Sequence, residues 1–82
     1  MNKGEVFATP SNQHRFVLGL TPTGDVAFAT RGGNTLHDYN HCQIQTQETF
    51  LSECASLYVA STEEAQRILT KFSNYMISKN VT

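Results

Sequence analysis

The stretch RFVLGLTPTGDVAFATRGG, Arg15 to Gly33, decides the fold. From Phe16 the residues alternate with a period of two: Phe16, Leu18 and Leu20 fall on one face, Val17 and Gly19 on the other. Beyond TPTGD, Val26 and Phe28 share a face, and Ala27 and Ala29 take the reverse. Two such runs bounded by turn residues predict paired strands. Pro22 presets φ for the first central position of a type I turn, and Gly24 can take the left-handed conformation that follows, so the link is a tight hairpin. The small residues Gly19, Ala27 and Ala29 imply either close approach by another element or exposure. No residue in the stretch looks catalytic. The hairpin reads as scaffold, and a local function is expected on the loop after it.

Working outward, GEVFATP reads as a short first strand ended by Pro10 and the polar SNQH. RGGNTLHDYNH has the composition of a loop, and HCQIQTQ alternates as a further strand. The strands are expected at about residues 4–9, 14–21, 25–31 and 40–46, with a short helix over about 47–55. Phe50, Leu51, Cys54, Leu57 and Tyr58 have helical spacing, but SLYVA also favours sheet. The reading adopted is a helix ending near Ala55 followed by an extended piece, with strand and helix both open for residues 56–60. The last element spans about 62–79. It starts at a Ser61 or Thr62 cap, with Glu64 at the capping-box position after Ser61. Ala65, Ile68, Leu69, Phe72, Tyr75 and Met76 form an apolar stripe that needs a sheet face to cover.

The chain has 82 residues, enough for one domain with one small core. The expected core is Val6, Phe7, Phe16, Leu18, Val26, Phe28, Ile44, Phe50, Leu51, Leu57, Ile68, Leu69, Phe72 and Met76. Six basic and seven acidic residues leave a net charge of −1, spread evenly along the chain. A dedicated nucleic-acid binder carries a basic excess, because phosphate contacts supply most of its affinity. The balance therefore weighs against DNA or RNA without excluding a local basic patch. No run approaches the roughly 20 apolar residues of a membrane span. MNKGEVFATPSN lacks the apolar segment of a signal peptide. A cytoplasmic protein with Cys42 and Cys54 as reduced thiols is the expectation.

Strand, hairpin, strand, helix and helix in this order predict an α+β domain: a small curved antiparallel sheet packed by a C-terminal amphipathic helix. The pattern GEVF…RFVLGLTPTGDVAFATR…CQIQTQETFL, covering residues 4–51, resembles the small SH3-like barrel proteins of phage, plasmid and integron-borne genes. Those proteins share a Gly-x-Val opening strand, a central hairpin with Val and Phe after a turn glycine, and a late Phe or Leu helix. The C-terminal helix departs from a minimal barrel, so a partly open barrel is expected. The resemblance implies an accessory or interaction protein of a mobile element and carries over no functional residue.

Several constellations bear on chemistry. HDYNHC brings His37, Asp38, His41 and Cys42 together in sequence, but the chain has no CxxC or HExxH spacing, so no metal and no cofactor are expected. A Cys–His pair would need Cys42 or Cys54 beside His37 or His41. Adjacent His41 and Cys42 point to opposite faces of a strand, and Cys54 lies on an apolar stripe. His14 with His37 or His41 would suit acid–base cleavage of RNA, with Arg15 or Arg31 on phosphate. ATRGGN lacks the strand and helix context of a phosphate loop.

The candidate binding surface is a rim of Arg15, Arg31, His37, Tyr39 and His41, gathered where the hairpin ends meet the long loop. It suits an acidic surface on a protein partner or nucleic-acid phosphate. The leading reading is a non-enzymatic binding or regulatory module for a protein partner. A small SH3-like nucleic-acid-binding domain comes second, and a small hydrolase or nuclease third. A homodimer is also expected, through an edge strand or the Tyr75/Met76 end of the last helix.

Overall fold

Five strands and three helical segments make up the computed structural model, which describes residues 1–82. The strands are β1 (Glu5–Ala8), β2 (Gln13–Leu20), β3 (Val26–Gly32), β4 (His41–Gln45) and β5 (Ala55–Val59). The helices are α1 (Gln47–Glu53), α2 (Thr62–Lys71) and α3 (Ser73–Ser78). Every strand pairing is antiparallel, in the order β4-β3-β2-β1-β5, and the sheet does not close into a barrel. Of residues 56–60, open between strand and helix in the sequence, 56–59 belong to the fifth strand, and the short helix ends at Glu53 rather than near Ala55.

The β2–β3 hairpin is central, as the alternation predicts. Gly24 donates its N–H to Thr21 O at 2.9 Å and sits at φ +83°, closing the turn. Register places Phe16 opposite Ala29 and Val17 opposite Phe28. The ladder shifts between Val17 and Gly19, a bulge that moves Leu20 off the Phe16/Leu18 face and onto that of Val17, Val26 and Phe28.

Both faces of the sheet are covered. On one, Val6, Phe16, Leu18, Ala27 and Ala29 lie beneath Ile68, with Leu69, Phe72, Tyr75 and Met76 half-buried around them. The alanines allow the helices to come close, which settles the alternative between approach and exposure. On the other face, Phe7, Val17, Val26 and Phe28 pack around Phe50 of α1. Phe50 meets Phe7 and Phe28 edge-on, at centroid distances of 4.9 and 5.0 Å. Thr46 caps α1 by accepting from Thr49 N, and Ser61 caps α2 by accepting from Glu64 N at 3.1 Å.

Three expectations need correction. The helix over 62–79 is not continuous: Phe72, at φ −106° and ψ 20°, separates α2 from α3. Leu51 and Leu57 are exposed, because one turn of α1 buries only Phe50 and Leu57 falls at an irregularity of the edge strand. The core also includes Tyr39, Val17 and Val81. Val81 is brought in by a tail that runs back to the hairpin, where Thr82 and Leu20 exchange backbone hydrogen bonds of 3.0 Å each. A Cβ at Gly19 (φ +144°) would stand 2.7 Å from Thr82 O, so glycine is what lets the tail dock.

Phe28 has no exposed surface and touches both Phe50 and the Arg15 guanidinium. Phe28→Ala should destabilise the fold by about 3–5 kcal/mol in urea denaturation, as expected for a buried aromatic. A loss below about 1 kcal/mol would mean that the α1-side core contributes little.

Candidate functional site

The five residues of the expected rim do not form one surface. Arg15 is 7% exposed, on the α1 face of the sheet. Its guanidinium lies over Phe28 and Phe50, 4.9 and 5.5 Å from their centroids. It donates to Gln13 Oε1 at 2.8 Å, Gln45 Oε1 at 3.3 Å and Glu53 Oε1 at 3.0 Å. The hydrogen bonds from Gln45 and Arg15 hold the Glu53 carboxyl below the usual carboxylate range. Arg15 is thus a structural cation joining β2, β4 and α1, with every charged contact made inside the protein.

Tyr39 is buried too, at 1% exposure, on the opposite face. Its ring meets Phe16 edge-on at 5.7 Å, and Arg31 lies over it at 5.8 Å. Burial is the largest cause of an upward shift of its phenol, so the group stays protonated. Asp38 fastens this loop to α2, accepting from Arg67 and, at 3.3 Å, from Lys71 Nζ. Lys71 also donates to the Tyr39 carbonyl. Burial opposes ionisation of Asp38, but the bonds from Arg67, the Tyr39 backbone and Lys71 outweigh it and lower the carboxyl pKa.

Three residues of the rim remain accessible. His37 is exposed in the loop, while Arg31 and His41 line an open recess of about 350 Å³. The recess lies where β2 begins, β3 ends and β4 begins, and no apolar residue lines it. Asn12, Asn34 and Asn40 contribute amides that lie outside the expected rim. The backbone explains the shape. Asn12 sits at φ +66° and accepts the Gly33 N–H at 2.7 Å, while its Nδ2 donates to Asn34 Oδ1 at 2.8 Å. A Cβ at Gly33 would come within 2.5 Å of Asn12 O, so this contact between the two turns requires glycine. His14 joins through Asn12 Oδ1, at 3.2 Å from its Nε2.

The cysteines are free and lie on opposite faces of the sheet, Cys42 with the α2-side core and Cys54 with the α1-side core. Burial raises both thiols, more than Lys71 near Cys42 or Arg15 near Cys54 lowers them. Cys54 donates its S–H to Phe50 O at 3.1 Å. No three side chains of His, Cys, Asp or Glu converge so as to hold a metal ion. No helix is long and apolar enough to cross a membrane.

The second accessible feature is β5. It pairs with β1 on one side and with no strand on the other, and all five of its residues are exposed. Leu57, Tyr58 and Val59 are 51%, 43% and 71% exposed, and the strand carries no charge. Edge strands are ordinarily protected by lysine, proline or a covering loop. By contrast, β4 at the other edge carries His41, Gln43 and Gln45. Tyr75 and Met76, the other expected contact, are half-buried against the core.

Comparison with known proteins identifies no relative: no family model, no curated protein and no solved structure matches the chain.

Two outcomes check this assignment of roles. Arg15→Ala should cost on the order of 2 kcal/mol, since it uncovers two aromatic faces and strands the Gln13, Gln45 and Glu53 acceptors. Arg31→Ala should cost under about 1 kcal/mol, and equal losses in chemical denaturation would erase the distinction. Asp38, with its lowered folded-state pKa, contributes stability above the ordinary carboxylate value of about 4, and loses it as pH falls through the folded-state value. The gap between wild type and Asp38→Asn should be under about 1 kcal/mol near neutrality, because the pair is solvent-screened, and should close in acid. A gap that does not change with pH would remove the charge from the explanation.

Proposed function

We propose that this chain is a non-enzymatic binding module that recognises a protein partner, and that the partner adds an extended segment along β5. The observation that carries the reading is the strand itself: a free sheet edge with three large exposed side chains in succession and no protecting charge. Strand addition draws affinity from main-chain hydrogen bonds and selectivity from side chains on alternate positions. The partner segment is uncharged and apolar, because β5 offers Leu57, Tyr58 and Val59 and nothing for a charge to pair with.

A second copy of the chain meets the same requirement. Two β5 strands running antiparallel about Leu57 place Ala55 opposite Val59 and Ser56 opposite Tyr58, with Glu53 opposite Ser61. No like charges meet, so a homodimer through this edge is the resting form. A cytoplasmic accessory protein of a mobile element fits this reading. The nucleic-acid reading keeps only Arg31, His37 and His41 of its five residues. The hydrolase reading has its two thiols on opposite faces and shifted away from ionisation.

Leu57→Lys places a charge on the edge without touching the core. Light scattering at micromolar concentration should give twice the 9.1 kDa chain mass for wild type and a single chain for the variant. A protein captured from the native host should bind wild type and not the variant. A dimer or a captured partner indifferent to Leu57→Lys would remove β5 from the function.

A further inference from the structure

We propose that the polar recess between the Asn12 turn, the Gly33 turn and the start of β4 is an oxyanion site for a small phosphorylated molecule. It is separate from β5 and does not depend on the strand-addition reading.

Charge is the first argument. The recess is lined by Arg31 and His41 and by no aspartate or glutamate, in a chain whose net charge is −1. A negative ligand group entering it meets one fixed cation and no like charge among the lining residues. The nearby carboxylate of the loop, Asp38, is occupied by Arg67 and Lys71 on α2.

Preorganisation is the second. Arg31 is held before any ligand arrives: Nη2 donates to Thr35 O at 2.8 Å, Nε approaches Gly32 O at 3.4 Å, and the guanidinium covers the Tyr39 ring. Nη1 makes no hydrogen bond within the protein. A guanidinium with its orientation already fixed loses less entropy on binding an oxyanion than a free one does. The two turns that form the walls are locked together by the Gly33 N–H to Asn12 O bond and the Asn12–Asn34 amide pair.

Chemistry and size define the rest of the ligand. Pockets for drug-like molecules are mostly apolar, whereas this one is lined by no hydrophobic residue. The Asn40 side chain and the Asn34 Nδ2 have no partner within the protein and suit hydroxyls or amides of a polar ligand. A recess of about 350 Å³ is at the small end of ligand sites, which favours a phosphorylated small molecule over a long polyanion. A long polyanion would also need the basic stripe that this surface lacks once Arg15 is buried.

Two-dimensional amide NMR of the labelled protein, titrated with inorganic phosphate and then with ribose 5-phosphate, tests the site. Both should give saturable shifts centred on residues 31–35 and 40–41, with ribose 5-phosphate the tighter. Arg31→Gln should weaken ribose 5-phosphate by about tenfold or more, as loss of a charge-assisted contact predicts. Asn34→Asp keeps the oxygen that accepts from Asn12 while adding a negative charge, so it should suppress binding with the spectrum of the fold retained. Shifts that do not saturate into the tens of millimolar, or that survive both variants, would overturn the proposal. So would a single-stranded oligonucleotide that binds where the monomeric phosphates do not, since the surface would then be a polyanion track.

Discussion

Both faces of one hairpin have to be covered by a chain with very little helix to spare, and this constraint governs the structure. The two sides differ most in what β3 contributes. On the α2 face β1 and β2 contribute Val6, Phe16 and Leu18, while β3 contributes only Ala27 and Ala29, which leaves room for Ile68, Leu69, Phe72 and Met76 of the helices. On the α1 face the strands contribute Val17, Val26, Phe28 and Phe7, and a helix of under two turns supplies little more than Phe50. The small β3 face receives the longer helix and the large β3 face the shorter one, so each side can be closed without long helices. The bulge at Leu18 belongs to the same arrangement. It leaves Phe16 and Leu18 on the α2 face while turning Leu20 to the α1 face, which a strictly alternating strand cannot do.

Arg15 follows from the shortness of α1. After Phe50 that helix offers no second large apolar residue toward the sheet, and a buried arginine fills the gap. Its stem and guanidinium cover the aromatic rings, and its donors reach outward to Gln13, Gln45 and the half-exposed Glu53. A cation costs several kcal/mol to desolvate unless its donors are met. Here they are met at the edge of the core, where Glu53 retains solvent. Electrostatics and packing are therefore one feature at this position: removing the charge also removes a wall of the core.

What the sequence made legible was whatever local periodicity and turn chemistry encode. The hairpin, its Gly24 turn, the Ser61 cap and the stripe on α2 all follow from residues within a few positions of one another. What it hid depended on distant partners. Tyr39 sits in a loop of turn-forming residues and gives no period to read, and its burial is secured by Asp38 reaching Arg67 and Lys71, about thirty positions on. Arg15 on a strand looks solvent-facing until α1 arrives with Glu53. The break at Phe72 has neither glycine nor proline to announce it, and the apolar stripe continues through it. The recess was half legible. Arg31 and His41 stood out as charged or titratable residues, but the asparagines read as turn formers because their side-chain pairing joins two turns some twenty residues apart.

The uncovered parts of the molecule are then informative because the covered parts are so fully used. With both sheet faces closed, the sheet itself offers only its edges and strand ends for recognition. β5 lies beyond β1 at one edge, while the recess gathers the ends of β2, β3 and β4 toward the other. Adjacent strands stand about 4.8 Å apart, so with β1 between them β5 lies roughly 10–15 Å from the β2 and β3 ends that line the recess. Neither feature shares a lining residue with the other. A strand added at β5 extends the sheet without entering the recess, and an anion in the recess meets Arg31 without altering the edge. Any coupling between the two would have to pass through β1 into β2, whose central residues are buried. Packed elements of this kind transmit a change only if they have a second arrangement to adopt. With alanines, a bulge and a docked tail all set by close contacts, this sheet has little room for one, so the two proposed surfaces would act independently of each other.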